Sequence, residues 1–117
     1  MNRVRKNESD ANYMDLVFVV RDGVRFDAAD PNKVVVDMEN TGFFNRVAQK
    51  FFKRPPVSHI ALDQYGSAVW MSMDGKRTVY DVVRKMEAAF PDEKADMLKR
   101  VVAFFRMLER YEWIERR

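Results

Sequence analysis

The 117-residue chain contains no cysteine, which excludes a disulfide framework, cysteine-ligated zinc and thiol catalysis. Its only histidine is His59, so no second histidine is available to build a metal site. The four glycines are scattered, which excludes a glycine-rich phosphate loop. The apolar run Leu16–Val20 is far too short to cross a bilayer or to form a signal core. These absences favour a cytoplasmic protein that is not an enzyme and holds neither a cofactor nor a metal.

The charges are nearly balanced, with 21 basic and 18 acidic residues and a net charge of +3, so they do not require a nucleic-acid partner. The length predicts one domain over residues 1–117. We expect a polar tail at 1–12, which is either solvated or a small basic arm for an acidic partner. A β-rich half at 16–62 and a helical half at 63–115 follow.

The β-rich half contains four short apolar segments that favour strands. They are Leu16–Val20, Val24–Phe26, Val34–Met38 and Val57–Leu62. The Asp30–Lys33 segment has turn chemistry, which predicts a hairpin between the second and third strands. Alternation then places on the core side Val34, Val36, Met38, Ile60 and Leu62. His59 falls on the other side of its strand, where a structural or surface role is the usual one.

A basic amphipathic segment at 43–53 interrupts the β-rich half before its last strand. Its bases have no local acid, so the segment is suited to a membrane surface or an acidic protein. The alternative is that its aromatic residues pack on the domain and its bases are solvated. The apolar face comprises Phe44, Val47, Ala48 and Phe51, and the bases are Arg46, Lys50 and Lys53.

The helical half begins with two short helices joined by a tight turn. Asp63 is placed to cap the first helix, and Gly75 is placed to end it in the left-handed conformation. Thr78 and Asp81 have the spacing of a capping box for the second helix. Helical spacing predicts that this second helix buries Val79, Val82, Val83, Met86 and Phe90.

The last helix is predicted from Glu93 to Glu112, with Asp92 as its cap after Pro91. Two apolar stripes run along this helix, and together they form a wider apolar face than packing against one core requires. The surplus face is therefore covered by another part of the domain or by a partner. The first stripe is Leu98, Val101, Val102, Phe105 and Leu108, and the second is Met97, Phe104, Met107 and Tyr111.

These elements predict an α+β fold: a three-stranded antiparallel sheet, then a three-helix, winged-helix-like half, plus the short inserted helix. Winged-helix shapes commonly bind DNA, so a DNA-binding regulator is the main alternative function. A DNA reader needs a helix with a basic exposed face. Neither of the last two helices carries charge of only one sign, because acids lie among its basic residues. These acids include Asp81, Glu87, Glu93 and Glu109.

The order of several motifs resembles the PqqD family. The segment 62–70 reads Leu-Asp-x-x-Gly-Ser-x-Val-Trp, and 74–83 reads Asp-Gly-Lys-Arg-Thr-Val-x-Asp-Val-Val. A Phe90-Pro91 break and a final helix ending in Trp113-Ile114 complete the pattern. The segment 39–52 is also similar to a subgroup of standalone members with a longer N-terminal half.

The resemblance implies a non-enzymatic peptide-binding chaperone, also called a RiPP recognition element, that serves natural product biosynthesis. It would bind the leader of a ribosomally made precursor peptide and present it to a modifying enzyme, often a radical SAM protein. The leader would add as a strand to the third strand of the sheet and lie against the last helix. The resemblance implies no nucleic-acid or membrane partner.

On this chain the binding strand corresponds to 57–62 and the helix to 93–112. Spacing on these two elements then suggests the peptide-binding residues, with Arg100 placed to pair with a leader carboxylate. They are Val57, His59, Ala61, Arg100, Val101, Phe104, Leu108 and Tyr111. The inserted helix departs from the compact family pattern, and it would either cover the binding edge or extend the groove. The product is either pyrroloquinoline quinone or another modified peptide. The strand edge and the surplus helix face also offer a route to a homodimer.

Overall fold

The computed structural model describes residues 10–39 and 57–117, which form an α+β protein. The chain divides into two compact units. The sheet unit is residues 22–67, and the terminal unit is residues 1–21 together with 68–117. The predicted inserted helix at 43–53 and most of the predicted tail lie outside the described residues. That tail prediction extended to residue 12, but a helical turn, α1, already begins at Asp10 (Asp10–Tyr13).

The sheet unit contains the predicted three-stranded antiparallel sheet. Its strands are β2 (Phe26–Asp27), β3 (Val35–Glu39) and β4 (Val57–Ala61), in the order β2-β3-β4. The Asp30–Lys33 turn joins β2 to β3, and the Lys33 N–H donates to the Asp30 carbonyl at 2.9 Å. The hairpin prediction is confirmed, with the second strand two residues later than expected.

The alternation predicted for the sheet is confirmed at Val34, Val36 and Leu62, which are all buried. It is wrong at Ile60, which is 37% exposed. Ile60 lies opposite Val36 on β4, and among the described strands only β3 pairs with β4. Edge position therefore overrides alternation at this residue.

Helix α2 (Gln64–Ser72) follows β4 and begins in the sheet unit. The Asp63 carboxylate accepts a hydrogen bond from the Gly66 N–H at 2.7 Å, which confirms the predicted cap. Ser67 is fully buried, and its hydroxyl accepts the Val34 N–H at 2.8 Å. This bond satisfies a donor just before β3 and fixes the start of α2 against that strand.

The terminal unit contains a second sheet that the local pattern does not predict. Strand β1 (Phe18–Val20) pairs antiparallel with β5 (Ile114–Arg116) near the end of the chain. Within this unit the Arg116 Nε donates to Glu109 Oε2 at 2.9 Å. Pairing between strands so distant in sequence is set by tertiary packing, which a local pattern does not report.

The turn between α2 and α3 (Val79–Ala89) follows the predicted chemistry. Gly75 adopts a φ of +77°, three residues after α2 has ended at Ser72. The Thr78 hydroxyl accepts the Asp81 N–H, and the Asp81 carboxylate accepts the Thr78 N–H, so the capping box is confirmed. Four of the five residues predicted for the apolar face of α3 are buried, namely Val79, Val82, Val83 and Met86.

Helix α4 (Met97–Arg110) is shorter than predicted. A 3-10 helix, Pro91–Asp96, precedes it and contains Glu93 in a non-helical conformation. Asp92 therefore caps no α-helix, because Pro91 lacks an N–H and the chain takes a tighter turn first. Leu98 is 36% exposed, contrary to prediction, and Met97 at 1% exposure takes its place in the core.

The C-terminus of α4 ends in a defined backbone motif. It is a Schellman motif, in which the Trp113 N–H donates to the Leu108 carbonyl and the Glu112 N–H donates to the Glu109 carbonyl.

The phenyl rings of Phe18 and Phe105 stack in the core of the terminal unit, with their centroids 5.1 Å apart. Among the described residues, no helix is long and apolar enough to cross a membrane.

Candidate functional site

The outer edge of β4 presents three residues with outward backbone groups. Leu62 donates its N–H to Val34, and Asp37 donates its N–H away from β4, to Arg25. Since hydrogen-bonded and non-hydrogen-bonded pairs alternate in an antiparallel ladder, Ser58 and Ile60 also bond toward β3. The N–H and C=O groups that point away from β3 therefore belong to Val57, His59 and Ala61.

These three residues are the ones that spacing suggested on the strand 57–62. Within residues 10–39 and 57–117, no strand pairs with the outer edge of β4. An edge of this kind carries the donors and acceptors that an added strand needs. The register of β4 is fixed by five consecutive pairs with β3, so the outward groups keep their spacing.

One side chain on this edge has a defined partner. The His59 Nδ1 lies 2.7 Å from the Asp37 carboxylate, directly across the β3–β4 pair. The His59 side chain is 69% exposed and that of Asp37 is 29% exposed. Because a carboxylate can only accept, we assign the bonded proton to Nδ1, which leaves Nε2 available to another group.

The other five predicted site residues lie on α4 and at its C-terminus, in the terminal unit. Phe104 is half-buried and Tyr111 is 45% exposed. They share a helical face with Arg100 and Met107, because positions 100, 104, 107 and 111 have helical spacing. Tyr111 also contacts Trp113, with ring centroids 5.2 Å apart. This face is apolar with one cation at its N-terminal end.

Two of the predicted α4 residues are in the core. Val101 is 2% exposed and Leu108 is 0% exposed, so neither offers surface to a ligand. Arg100, which the sequence suggested for a leader carboxylate, instead forms an ion pair with Glu93. Glu93 therefore competes with any carboxylate that approaches Arg100.

Sequence analysis missed three residues that shape these surfaces. Asp37 orients His59, and Glu93 occupies Arg100, although neither pairing is visible in a local pattern. Met107 was assigned to the flanking stripe but not to the site, and it lies half-buried between Phe104 and Tyr111. Its i+3 spacing from Phe104 is the signal that could have included it. No group of three or more His, Asp or Glu residues in the described parts of the chain could hold a metal ion.

The family model for coenzyme PQQ synthesis protein D, PqqD, matches residues 33–114. The chain belongs to the PqqD family. The match covers more than half of the 117 residues and includes β3, β4 and helices α2 to α4. It confirms the resemblance drawn from the motifs between 62 and 83. Comparison with curated proteins and with solved structures gives no match for this PqqD-family chain.

Proposed function

We propose that this PqqD-family protein is a non-enzymatic adaptor that binds the leader of a ribosomally made precursor peptide by strand addition. The bound leader pairs with β4, and the adaptor presents the peptide to a modifying enzyme, of which a radical SAM enzyme is the leading candidate. The product is pyrroloquinoline quinone or another modified peptide. We also propose that the helices follow a winged-helix-like order.

The outward backbone of Val57, His59 and Ala61 is the observation that carries this proposal. Each of these residues offers one N–H and one C=O away from β3, at alternate positions. An extended peptide satisfies all of them at once, because its own groups alternate with the same period. Main-chain pairing of this kind supplies affinity, and the side chains beside it supply selectivity.

The half-exposed face of α4 supports the proposal separately. Phe104, Met107 and Tyr111 present apolar surface, and Val101 and Leu108 hold that surface from beneath as core residues. We propose that leader side chains bind this face. Replacement of Phe104 and Tyr111 by Ser therefore weakens leader binding, whereas replacement of exposed Lys99 by Ser leaves it unchanged.

The proposal is tested by titrating the ¹⁵N-labelled protein with the precursor peptide encoded beside its gene. We expect chemical-shift changes at His59 and Ala61 and on the exposed face of α4. A matched pair of variants isolates the backbone: Ala61→Pro removes an outward N–H, and Ala61→Val keeps it. Loss of binding in Ala61→Pro alone is expected. Unchanged shifts along β4 would refute strand addition.

The same protein samples also test the alternative function, DNA binding. Binding of duplex DNA that falls steeply with salt would support a regulator, since neutralised phosphates release counterions. We expect no such binding at low salt, because acids lie among the bases of α3 and α4. The docking role considered for the helix at 43–53 concerns residues outside the described ranges, and replacement of Arg46, Lys50 and Lys53 by Glu tests it.

A further inference from the structure

A polar row crosses the solvent-facing side of the sheet and ends at the binding edge. Arg25, Asp37 and His59 lie opposite one another on three neighbouring strand segments. Residues directly opposite in a sheet place their side chains on the same face. The row therefore runs from a cation, through an anion, to an imidazole on the strand edge where, among the described residues, no further strand is paired.

The remaining neighbours on this face of β4 bring no competing charge next to the ring. Ala61, two residues from His59, is exposed and apolar, and Val57 is apolar. Among the described residues, acids occupy three register positions here: Asp37 itself, Asp27 opposite Val35, and Glu39 opposite Val57. Only Asp37 is directly across from His59.

An added strand places one residue directly opposite His59. Because the His59 N–H and C=O both point outward, this residue forms a hydrogen-bonded pair with His59 and its side chain lies on the same face. A carboxylate there accepts a hydrogen bond from Nε2–H while Asp37 accepts one from Nδ1–H. The ring is then an imidazolium between two carboxylates, and the row alternates in charge across four strands.

We propose that His59, held by Asp37, selects an acidic residue at one position of the bound leader. This inference rests on the proposed strand addition and adds a sequence requirement to it. A leader Glu opposite His59 binds more tightly than Gln by about 1.4- to five-fold, the range of a cross-strand opposite-charge pair. Lys at the same position binds more weakly than Gln.

The test is an array of precursor leader peptides in which each position is changed in turn to Glu, Gln and Lys. Affinity is measured by fluorescence polarisation for the unmodified protein, for His59→Gln and for Lys33→Gln. Lys33→Gln removes an exposed charge from the turn of the same unit, so it controls for general electrostatics.

At one leader position we expect affinity to fall in the order Glu, Gln, Lys. His59→Gln should abolish that order, and Lys33→Gln should preserve it. Asp37→Asn should reduce it, since the ring then loses the carboxylate that holds the Nδ1 proton. Chemical-shift changes along β4 without a His59-dependent Glu preference would overturn this inference alone. Absence of any change along β4 would overturn the proposed function as well.

Discussion

The Tyr13 hydroxyl donates a 2.7 Å hydrogen bond to Glu109 Oε1, a residue 96 positions further along the chain. The Arg106 guanidinium lies 4.7 Å from the Tyr13 ring centroid, and Arg116 binds the second oxygen of Glu109. Tyr13 is only 1% exposed. This contact joins the start of the described chain to α4 and, through Arg116, to β5.

Replacement of Tyr13 by Phe should therefore destabilise the protein. The change leaves the ring in place but removes a hydrogen bond to a charged acceptor, so we expect a loss of about 1.5–3 kcal/mol in the free energy of unfolding. Urea denaturation measures this loss. Tyr111→Phe is the matched control, and because Tyr111 is exposed it should change stability by less than about 0.5 kcal/mol. Equal effects of the two changes would contradict the assigned role.

Tyr13 should also give stability a distinctive dependence on alkaline pH. Burial, followed by the hydrogen bond to Glu109, raises the pKa of Tyr13 above its ordinary value of 10.0. The folded state therefore keeps this proton where the unfolded state releases it. Its contribution is complete below pH 10 and is lost above it, by about 1.4 kcal/mol per pH unit. The difference in unfolding free energy between the unmodified protein and Tyr13→Phe should shrink above pH 10, and a constant difference would contradict this.

Gly75 is constrained both by its backbone and by a neighbour. Its φ is +77°, and a Cβ added there would lie 3.0 Å from Val19 Cγ1. Gly23 also has a positive φ, of +91°, but a Cβ there would meet nothing within 4 Å. Gly23→Ala should cost about 1–2 kcal/mol from strain, and Gly75→Ala about 1 kcal/mol more from the contact. Thermal denaturation measures the melting temperatures of the two variants. Equal values would contradict the extra steric cost assigned to Gly75→Ala.

Glu112 is the only non-glycine residue with a positive φ among those described, at 62°. It occupies the position after the α4 cap where glycine is favoured. Glu112→Gly should raise the unfolding free energy by about 0.5–1 kcal/mol. Glu112→Ala keeps the Cβ and removes the exposed contact with Arg21, so it should not stabilise. Stabilisation by both variants would assign the effect to lost charge instead of backbone strain.

Local signals in the sequence predicted the features that local chemistry determines. The Asp63 cap, the Thr78–Asp81 capping box and the positive φ of Gly75 each depend on a few neighbouring residues. The pairing of β1 with β5 depends on residues nearly a chain length apart, such as Phe18 and Arg116. No local periodicity reports such a pairing, so the second sheet was not predicted.

The candidate site was predictable in part for the same reason. The family motifs pointed to β4, and strand register then showed that Val57, His59 and Ala61 direct their backbones outward. Periodicity placed Val101 and Leu108 in the first apolar stripe and Tyr111 in the second, yet it could not show which of these side chains keep exposed surface. It also could not show that Glu93 occupies Arg100.

Hydrogen exchange along β4 tests strand addition most directly. In the free protein the amides of Ser58 and Ile60 donate to β3 and should exchange slowly, whereas those of His59 and Ala61 point outward and should exchange fast. Saturation with the leader peptide should slow exchange at His59 and Ala61 and leave the other two slow. A bound complex in which His59 and Ala61 still exchange as fast as in the free protein would contradict the central claim.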